Sequence, residues 1–332
     1  MDSGNIGFVL LCAAFVFVMT PGLAMFYGGL VRKKNVVNTM MTSIFIIGVG
    51  IVMWVLFGYS LSFAPSGNAF IGDFRWLGLE GVSLTEGYTD DASIPNMVFS
   101  AFQMMFAVIT PALITGAVAG RMKFKSIFVF TIFWSLIVYY PLAHMVWGQG
   151  GLLGADGIGA LDFAGGDVVH ISSGVSALVL CILLGKRHDY EHSIYRIHNI
   201  PTVVLGASLL MFGWFGFNAG SALAADGLAA HAFMTTGVSA AAAMLSWMLC
   251  DVIKNKKPTL IGASTGMVAG LVGITPGAGF VPMWAAVIIG LTTSPVCYIM
   301  ISYGKKKFGF DDALDAFSCH GTGGIWGGLL TG

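Results

Sequence analysis

Charged residues are scarce in this sequence. Asp, Glu, Lys and Arg make up only 10 % of its 332 residues, whereas soluble domains carry about 25 %. So few charges cannot cover a surface that faces water, and 56 % of the residues are hydrophobic. The composition therefore predicts a protein that is surrounded mostly by lipid. The net charge is zero, so nothing in it indicates a nucleic-acid partner.

Cysteines are also few, and their positions show no spacing typical of a metal site. All five lie in apolar runs, and we interpret them as small packing residues. No nucleophile–base pair or metal-ligand cluster stands out, which argues against a conventional membrane enzyme and against a cofactor. No cleavable signal peptide is evident, because the first apolar run has no basic residue before it and Arg32, Lys33 and Lys34 after it.

Long apolar runs fill most of the chain. A membrane-spanning helix needs about 20 mostly apolar residues, and ten such runs predict an all-α polytopic membrane protein. The runs cover residues 6–31, 38–63, 94–119, 124–146, 166–184, 200–222, 229–253, 259–275, 282–303 and 312–330.

Basic residues mark one side of the predicted membrane. Apart from Arg75, every Lys and Arg follows an odd-numbered run, in clusters at 32–34, 121–125, 186–196, 254–257 and 305–307. The positive-inside rule then places the N-terminus outside. The loop 64–93 would also lie outside. Its acidic residues suit a cation weakly, and a solvated loop is the simpler explanation.

Part of the sequence recurs 150 positions further on. Asp162 and His170 stand in the same relation as Asp312 and His320, and the hexapeptide Thr115–Gly120 resembles Thr265–Gly270. Since each copy would hold five spans, an odd number, the second copy should run through the membrane upside down. We therefore expect one domain, residues 1–332, built from inverted repeats at about 6–185 and 199–330. Such repeats place a binding site or path at their interface.

The two repeated histidines are expected to meet in the apolar interior. An ionisable residue inside a membrane indicates function by default, and paired imidazoles can share one proton. The alternative is a pair of core histidines that hydrogen-bond each other and serve packing alone. Asp162 and Asp312 sit at span starts, and we expect them to cap helices. A direct ion ligand at Asp162 is the weaker alternative.

Several aromatic residues fall toward the predicted outer side. Phe102 and Phe106 lie one turn apart, and Trp147 and Phe217 lie near span ends. Taken singly, such residues are usually interfacial anchors. Clustered with Ser221, they would form a cation–π cage, which is worth on the order of 2 kcal/mol when desolvated.

At these residues the sequence resembles the ammonium transporter (Amt/Rh) family, and Trp147 with Ser221 is typical of the Amt branch. The matching motifs span nearly the whole chain. They are Pro21–Gly29, Ala143–Gly148, Leu161–Gly166, Gly213–Ser221 and Asp315–Gly321.

The resemblance implies a fold of eleven spans in two inverted five-helix repeats, assembled as a homotrimer. Ten of these spans are visible here, so the last helix and the C-terminal tail are expected to be missing. By resemblance, the site residues would have four roles. These are an outer recruitment site (Trp147, Phe102, Ser221), a phenyl gate (Phe106, Phe217), a twin-histidine pore (His170, His320) and a structural aspartate (Asp162).

The resemblance further implies uptake of ammonium across the plasma membrane, with methylammonium as an analogue. Ammonium would be deprotonated below the outer site, and ammonia would pass the histidines with or without a proton relay. A PII-type regulatory protein is a possible partner at the cytoplasmic face. The alternative is an ammonium sensor, in which the same fold is fused to a signalling domain.

Overall fold

The computed structural model describes residues 1–65, 67–155, 157–188, 190 and 197–332. Within these ranges the chain is helical and contains no strand, which confirms the predicted all-α architecture. Nine helices of this part of the chain are long and apolar enough to cross a membrane. They are α1 (Ser3–Leu30), α2 (Lys33–Phe63), α3 (Asn96–Ile114), α4 (Phe124–Trp147), α5 (Gly166–Leu184), α6 (Ile200–Gly220), α7 (Gly227–Asn255), α8 (Leu260–Gly277) and α9 (Met283–Phe308).

A tenth helix, α10, is shorter than the others. It consists of the π-helical turn Phe317–Gly321 and the α-helix Thr322–Thr331. The predicted run 312–330 therefore begins too early, because Asp312 lies in the loop before α10. Apolar composition extends the run into this loop, where Ala313 and Leu314 pack against the core.

The two ends of the helix bundle carry different loops. At one end, here called the N-terminal face, the backbone N–H of Asp2 donates to the carbonyl of Ser93 at 2.8 Å, and Leu152 donates to Ala69 at 2.9 Å. At the other end, here called the basic face, Arg187 pairs with Asp311 at 2.7 Å. Residues 189 and 191–196 of the predicted basic cluster lie outside the described residues.

The helices of the two halves of the chain pack in a similar pattern. Helix α1 packs along α6, and the contacts of α1 with α2 and α3 recur as contacts of α6 with α7 and α8. At the centre, α5 and α10 cross each other closely. A Cβ on Gly174 would lie 2.2 Å from the nitrogen of Gly321, and a Cβ on Gly324 would lie 3.0 Å from Ile171 Cγ1. Gly324 lies 150 positions after Gly174, and Ile171 lies 150 positions before Gly321. Each close approach is therefore the counterpart of the other, as a twofold relation requires.

The similar hexapeptides do not occupy equivalent positions, so that part of the sequence comparison is wrong. Residues 115–120 form turns after α3, whereas residues 265–270 lie in the middle of α8. The π-helical turns Ser135–Tyr139 of α4 and Met300–Gly304 of α9 instead lie 165 positions apart. Small residues recur in tightly packed membrane helices, which explains why a chance match in another register looked like part of the repeat.

Proline positions support this second register. Pro111 in α3 and Pro276 in α8 each follow a threonine. The hydroxyl of Thr110 donates to the carbonyl of Phe106 at 2.6 Å, and that of Thr275 donates to Leu271 at 2.7 Å. Since each hydroxyl bonds the carbonyl four residues before it, the two Thr-Pro pairs have the same local geometry 165 positions apart.

Candidate functional site

A cavity of about 630 Å³ opens at the N-terminal face. It lies between the loop that precedes α3, the start of α3 and the ends of α4 and α6. Aromatic and polar side chains share its wall, among them Tyr88, Gln103, Phe106, Trp147 and Ser221. Such a mixture suits a small polar ligand, which aromatic faces attract and a few polar atoms orient.

The polar hydrogens of Trp147 and Ser221 are already used. The indole nitrogen of Trp147 donates to the backbone carbonyl of Asp162 at 3.0 Å. The hydroxyl of Ser221 donates to the carbonyl of Phe217 at 2.9 Å. Because their hydrogens point away, the serine oxygen keeps lone pairs free to accept hydrogen bonds. The wall therefore favours a cation that donates hydrogen bonds.

A tilted pair of phenyl rings lies at the bottom of the cavity, where Phe106 lines the wall and Phe217 packs against it. The ring centroids of Phe106 and Phe217 lie 4.3 Å apart, and Trp147 stands edge-on to Phe106 at 6.0 Å. Phe102 contacts Phe106 at 4.9 Å, but it is not among the described residues that line the cavity. The structure thus brings all four predicted aromatic residues together and places Phe102 behind the cavity wall.

His170 and His320 lie beneath the phenyl pair. His170 stacks on Phe217 at 6.0 Å, and the two imidazole centroids are 5.3 Å apart. The Nδ1 atoms face each other at 3.3 Å, so one must donate and the other accept. In the neutral pair, one far nitrogen then carries a proton and the other carries a lone pair. The Nε2 atom of His170 has no hydrogen-bond partner within the described part of the protein.

Both histidines sit in π-helical turns, at Gly166–Ile171 and Phe317–Gly321. Such turns are rare and occur frequently at functional sites. Sequence reasoning did not single out Trp214, whose indole stacks on His170 at 5.1 Å and donates to Thr275 Oγ1 at 2.9 Å. Its signal was its position three residues before Phe217, on the same face of α6.

Asp162 organises the backbone at the start of α5. Its carboxylate accepts four backbone N–H groups at 2.6 to 3.0 Å, from residues 165–168. Asp312 does the same before α10, accepting from Ala316 at 2.9 Å and Ser318 at 3.0 Å. Both carboxylates therefore satisfy backbone N–H groups where helices start, although the N-cap residues themselves are Gly165 and Ala316. The four donors leave the Asp162 oxygens little capacity for a direct ion ligand.

A membrane-spanning bundle that buries paired ring nitrogens below an aromatic cavity is the architecture of a transport protein for a small polar substrate. The model of the Ammonium Transporter Family matches residues 7–332. An ammonium transporter of Bacillus subtilis (strain 168) is 53 % identical over 332 residues, which are 100 % of this chain and 80 % of that protein. The chain belongs to the ammonium transporter family, whose members are transporters or channels and not enzymes.

Solved structures agree with this assignment. The crystal structure of Saccharomyces cerevisiae Mep2 matches with a TM-score of 0.92 and 39 % identity, covering 100 % of this chain and 73 % of that one. A structure described as a Sensor Amt Protein matches with a TM-score of 0.88 and 29 % identity, covering 98 % and 81 %.

Proposed function

We propose that this chain takes up ammonium by capturing it in the cavity, removing a proton and passing ammonia along the two histidines. Trp147, Phe102 and Ser221 form the recruitment site, with Phe102 acting through the ring of Phe106. The observation that carries the proposal is the continuous series of rings Phe106, Phe217, His170 and His320, with successive centroids 4.3, 6.0 and 5.3 Å apart. These four side chains are at most 5 % exposed.

Deprotonation follows from the cost of burying charge. Aromatic faces stabilise a cation in the cavity, but an isolated ion in an apolar segment would cost tens of kcal/mol by Born solvation. Neutral ammonia avoids that cost. Phe106 and Phe217 act as a gate, and the far imidazole nitrogens offer ammonia one donor and one acceptor.

The proton has two possible routes in this scheme. It returns to the cavity side, and transport is then electroneutral, or it moves along the histidine pair, and transport then carries charge. The facing Nδ1 atoms support the second route because they lie within hydrogen-bond distance of each other, so one proton can link the two rings. Asp162 serves this path structurally, by fixing the turn from which α5 starts.

The same step explains selectivity against potassium. Potassium has a similar charge and size, but it has no proton to give up. Methylammonium can lose a proton and should pass more slowly. The proposal is tested with purified protein in liposomes, where ammonium and methylammonium should enter and potassium should not. A potassium current through the intact protein would overturn the mechanism.

For the setting of the protein, we propose that the N-terminal face is outside and the basic face is cytoplasmic, in the plasma membrane. Apart from Arg75, the described Lys and Arg residues gather at the second face, as the positive-inside rule requires. A homotrimer with one path per subunit and a PII-type partner at the basic face extend the proposal by family resemblance. Cross-linking in liposomes tests the trimer, and co-purification with a PII protein tests the partner.

An ammonium sensor is the second candidate function, supported by the likeness to the Sensor Amt Protein. Both functions need the cavity, but only transport needs a conducting path below it. Ammonium binding without measurable flux in liposomes would favour the sensor. Flux of methylammonium that saturates with concentration would favour the transporter.

A further inference from the structure

One polar side chain in the cavity has no role in the scheme above. Gln103 lies on α3 directly after Phe102 and three residues before Phe106, and it lines the cavity. The residue is only 9 % exposed, and its Oε1 atom is buried without a hydrogen-bond partner. A buried amide oxygen normally has a partner, because leaving it unsatisfied is costly. The oxygen is the buried end of the amide as it stands, and a half-turn of the amide exchanges oxygen and nitrogen, so that the oxygen faces the cavity.

The chemistry of ammonium supplies what the site lacks. Aromatic faces attract positive charge, but they accept N–H groups only weakly. An ammonium ion that leaves water has four N–H donors to satisfy. Ser221 offers one oxygen, since its own hydrogen is held by Phe217. The indole N–H of Trp147 is a donor and is already held by Asp162. A second acceptor at the bottom of the cavity is therefore missing from the scheme.

We infer that Gln103 is a further substrate-binding residue, whose amide oxygen accepts an N–H of ammonium seated against Phe106 and Trp147. This inference rests on the proposed function of the cavity. Two acceptors and aromatic faces suit a hydrogen-bonding cation, whereas potassium is stabilised by a larger set of oxygens. Methylammonium keeps three N–H groups and binds the same pair of acceptors. Tetramethylammonium has no N–H group and gains nothing from Gln103.

The experiment compares Gln103→Met with Gln103→Glu in liposomes, using methylammonium as the probe. Methionine keeps the length of the side chain but removes the strong acceptor. A hydrogen bond to a charged group then predicts a KM raised about tenfold or more, with the maximal rate changed much less. Glutamate keeps an acceptor oxygen, so its KM should stay at or below that of the unaltered protein.

Gln149→Met is the matched control. Gln149 belongs to the same cavity but is exposed, and its amide donates to the carbonyl of Tyr88 at 3.1 Å. Its KM should stay close to that of the unaltered protein. Equal KM values for Gln103→Met and Gln149→Met would overturn the role of Gln103 while leaving transport established. Should Gln103→Met fail to reach the membrane, a KM raised by Gln103→Glu would overturn it as well. Absence of transport by the unaltered protein would instead refute the proposed function.

Discussion

Gly174 of α5 and Gly321 of α10 meet backbone to backbone at the centre of the molecule. A Cβ on Gly174 would lie 2.2 Å from the nitrogen and 2.3 Å from the Cα of Gly321, which is far inside van der Waals contact. This contact sets how closely α5 and α10 can approach. It therefore sets the distance between His170 and His320 on the same two helices, whose Nδ1 atoms lie 3.3 Å apart.

Gly174→Ala should force the two helices apart. The added methyl group meets backbone atoms that cannot rotate away, and overpacking of this kind costs about 1 to 3 kcal/mol or more. We expect a lower melting temperature in detergent and loss of transport. Gly48→Ala in α2 is the control, because nothing lies within 4 Å of its Cβ position. A Gly174→Ala protein as stable and active as the Gly48→Ala protein would show that the close crossing is not needed.

Asp162→Ala should destabilise the turn that leads into α5. The carboxylate satisfies four backbone N–H groups, three of them buried. Unsatisfied buried donors cost about 1 to 3 kcal/mol each, so a loss of roughly 4 kcal/mol is expected after partial replacement by water. Asp226→Ala removes a cap with one donor, at Ala229, and should cost about 1 kcal/mol. Similar melting temperatures for the two variants would argue against the capping role of Asp162.

Asp311→Asn should weaken the basic face. Asp311 is fully buried, and its carboxylate binds the Arg187 guanidinium at 2.7 Å, with Arg121 at 3.8 Å. Removing the charge takes the carboxylate partner away from two largely buried guanidinium groups, and breaking a buried ion pair costs about 3 to 5 kcal/mol. Thermal unfolding in detergent measures the loss.

The control for Asp311 is the exposed pair of Asp73 and Arg75. Arg75 lowers the pKa of Asp73 in the folded protein through a side-chain hydrogen bond. The pair therefore stabilises the protein at pH values above the pKa that Asp73 has in the unfolded chain. This stabilisation is lost as the pH falls through the lower pKa of Asp73 in the folded protein. Because both side chains are substantially exposed, Asp73→Asn should leave the melting temperature nearly unchanged at neutral pH. If Asp311→Asn is equally harmless, the buried ion pair does not support the fold.

Trp214→Phe and Trp214→Leu should separate two roles of the indole. Phenylalanine keeps an aromatic face against His170 but loses the hydrogen bond to Thr275, whereas leucine loses both. Aromatic pairs are worth about 0.5 to 1.5 kcal/mol beyond their buried area. We expect ammonium flux to fall more in the leucine variant than in the phenylalanine variant. Equal flux in both would show that the ring contact with His170 does not matter.

The sequence was enough to predict the spans, their alternating direction and the meeting of His170 with His320. The membrane itself constrains the length of apolar runs and the distribution of Lys and Arg, so both can be recognised in the sequence alone. The capping of α5 by Asp162 was also readable, because an aspartate before an apolar run is a local signal.

Features that depend on tertiary packing could not be predicted from the sequence. The start of α10 is hidden because Ala313 and Leu314 are apolar but lie in a loop. The π-helical turns and the stacking of Trp214 on His170 arise from tertiary contacts that no local pattern encodes. The similarity of residues 115–120 to residues 265–270 is a local pattern without structural meaning, since small residues recur wherever membrane helices pack closely.

The most direct test of the proposed path is the ammonium current of His170→Leu/His320→Leu in liposomes, recorded beside the unaltered protein. Leucine fills the space of the imidazoles but offers neither a proton nor a lone pair. We expect the current to disappear in the double variant, with the protein still folded in detergent. An undiminished and ammonium-selective current would rule out a proton relay along the histidine pair.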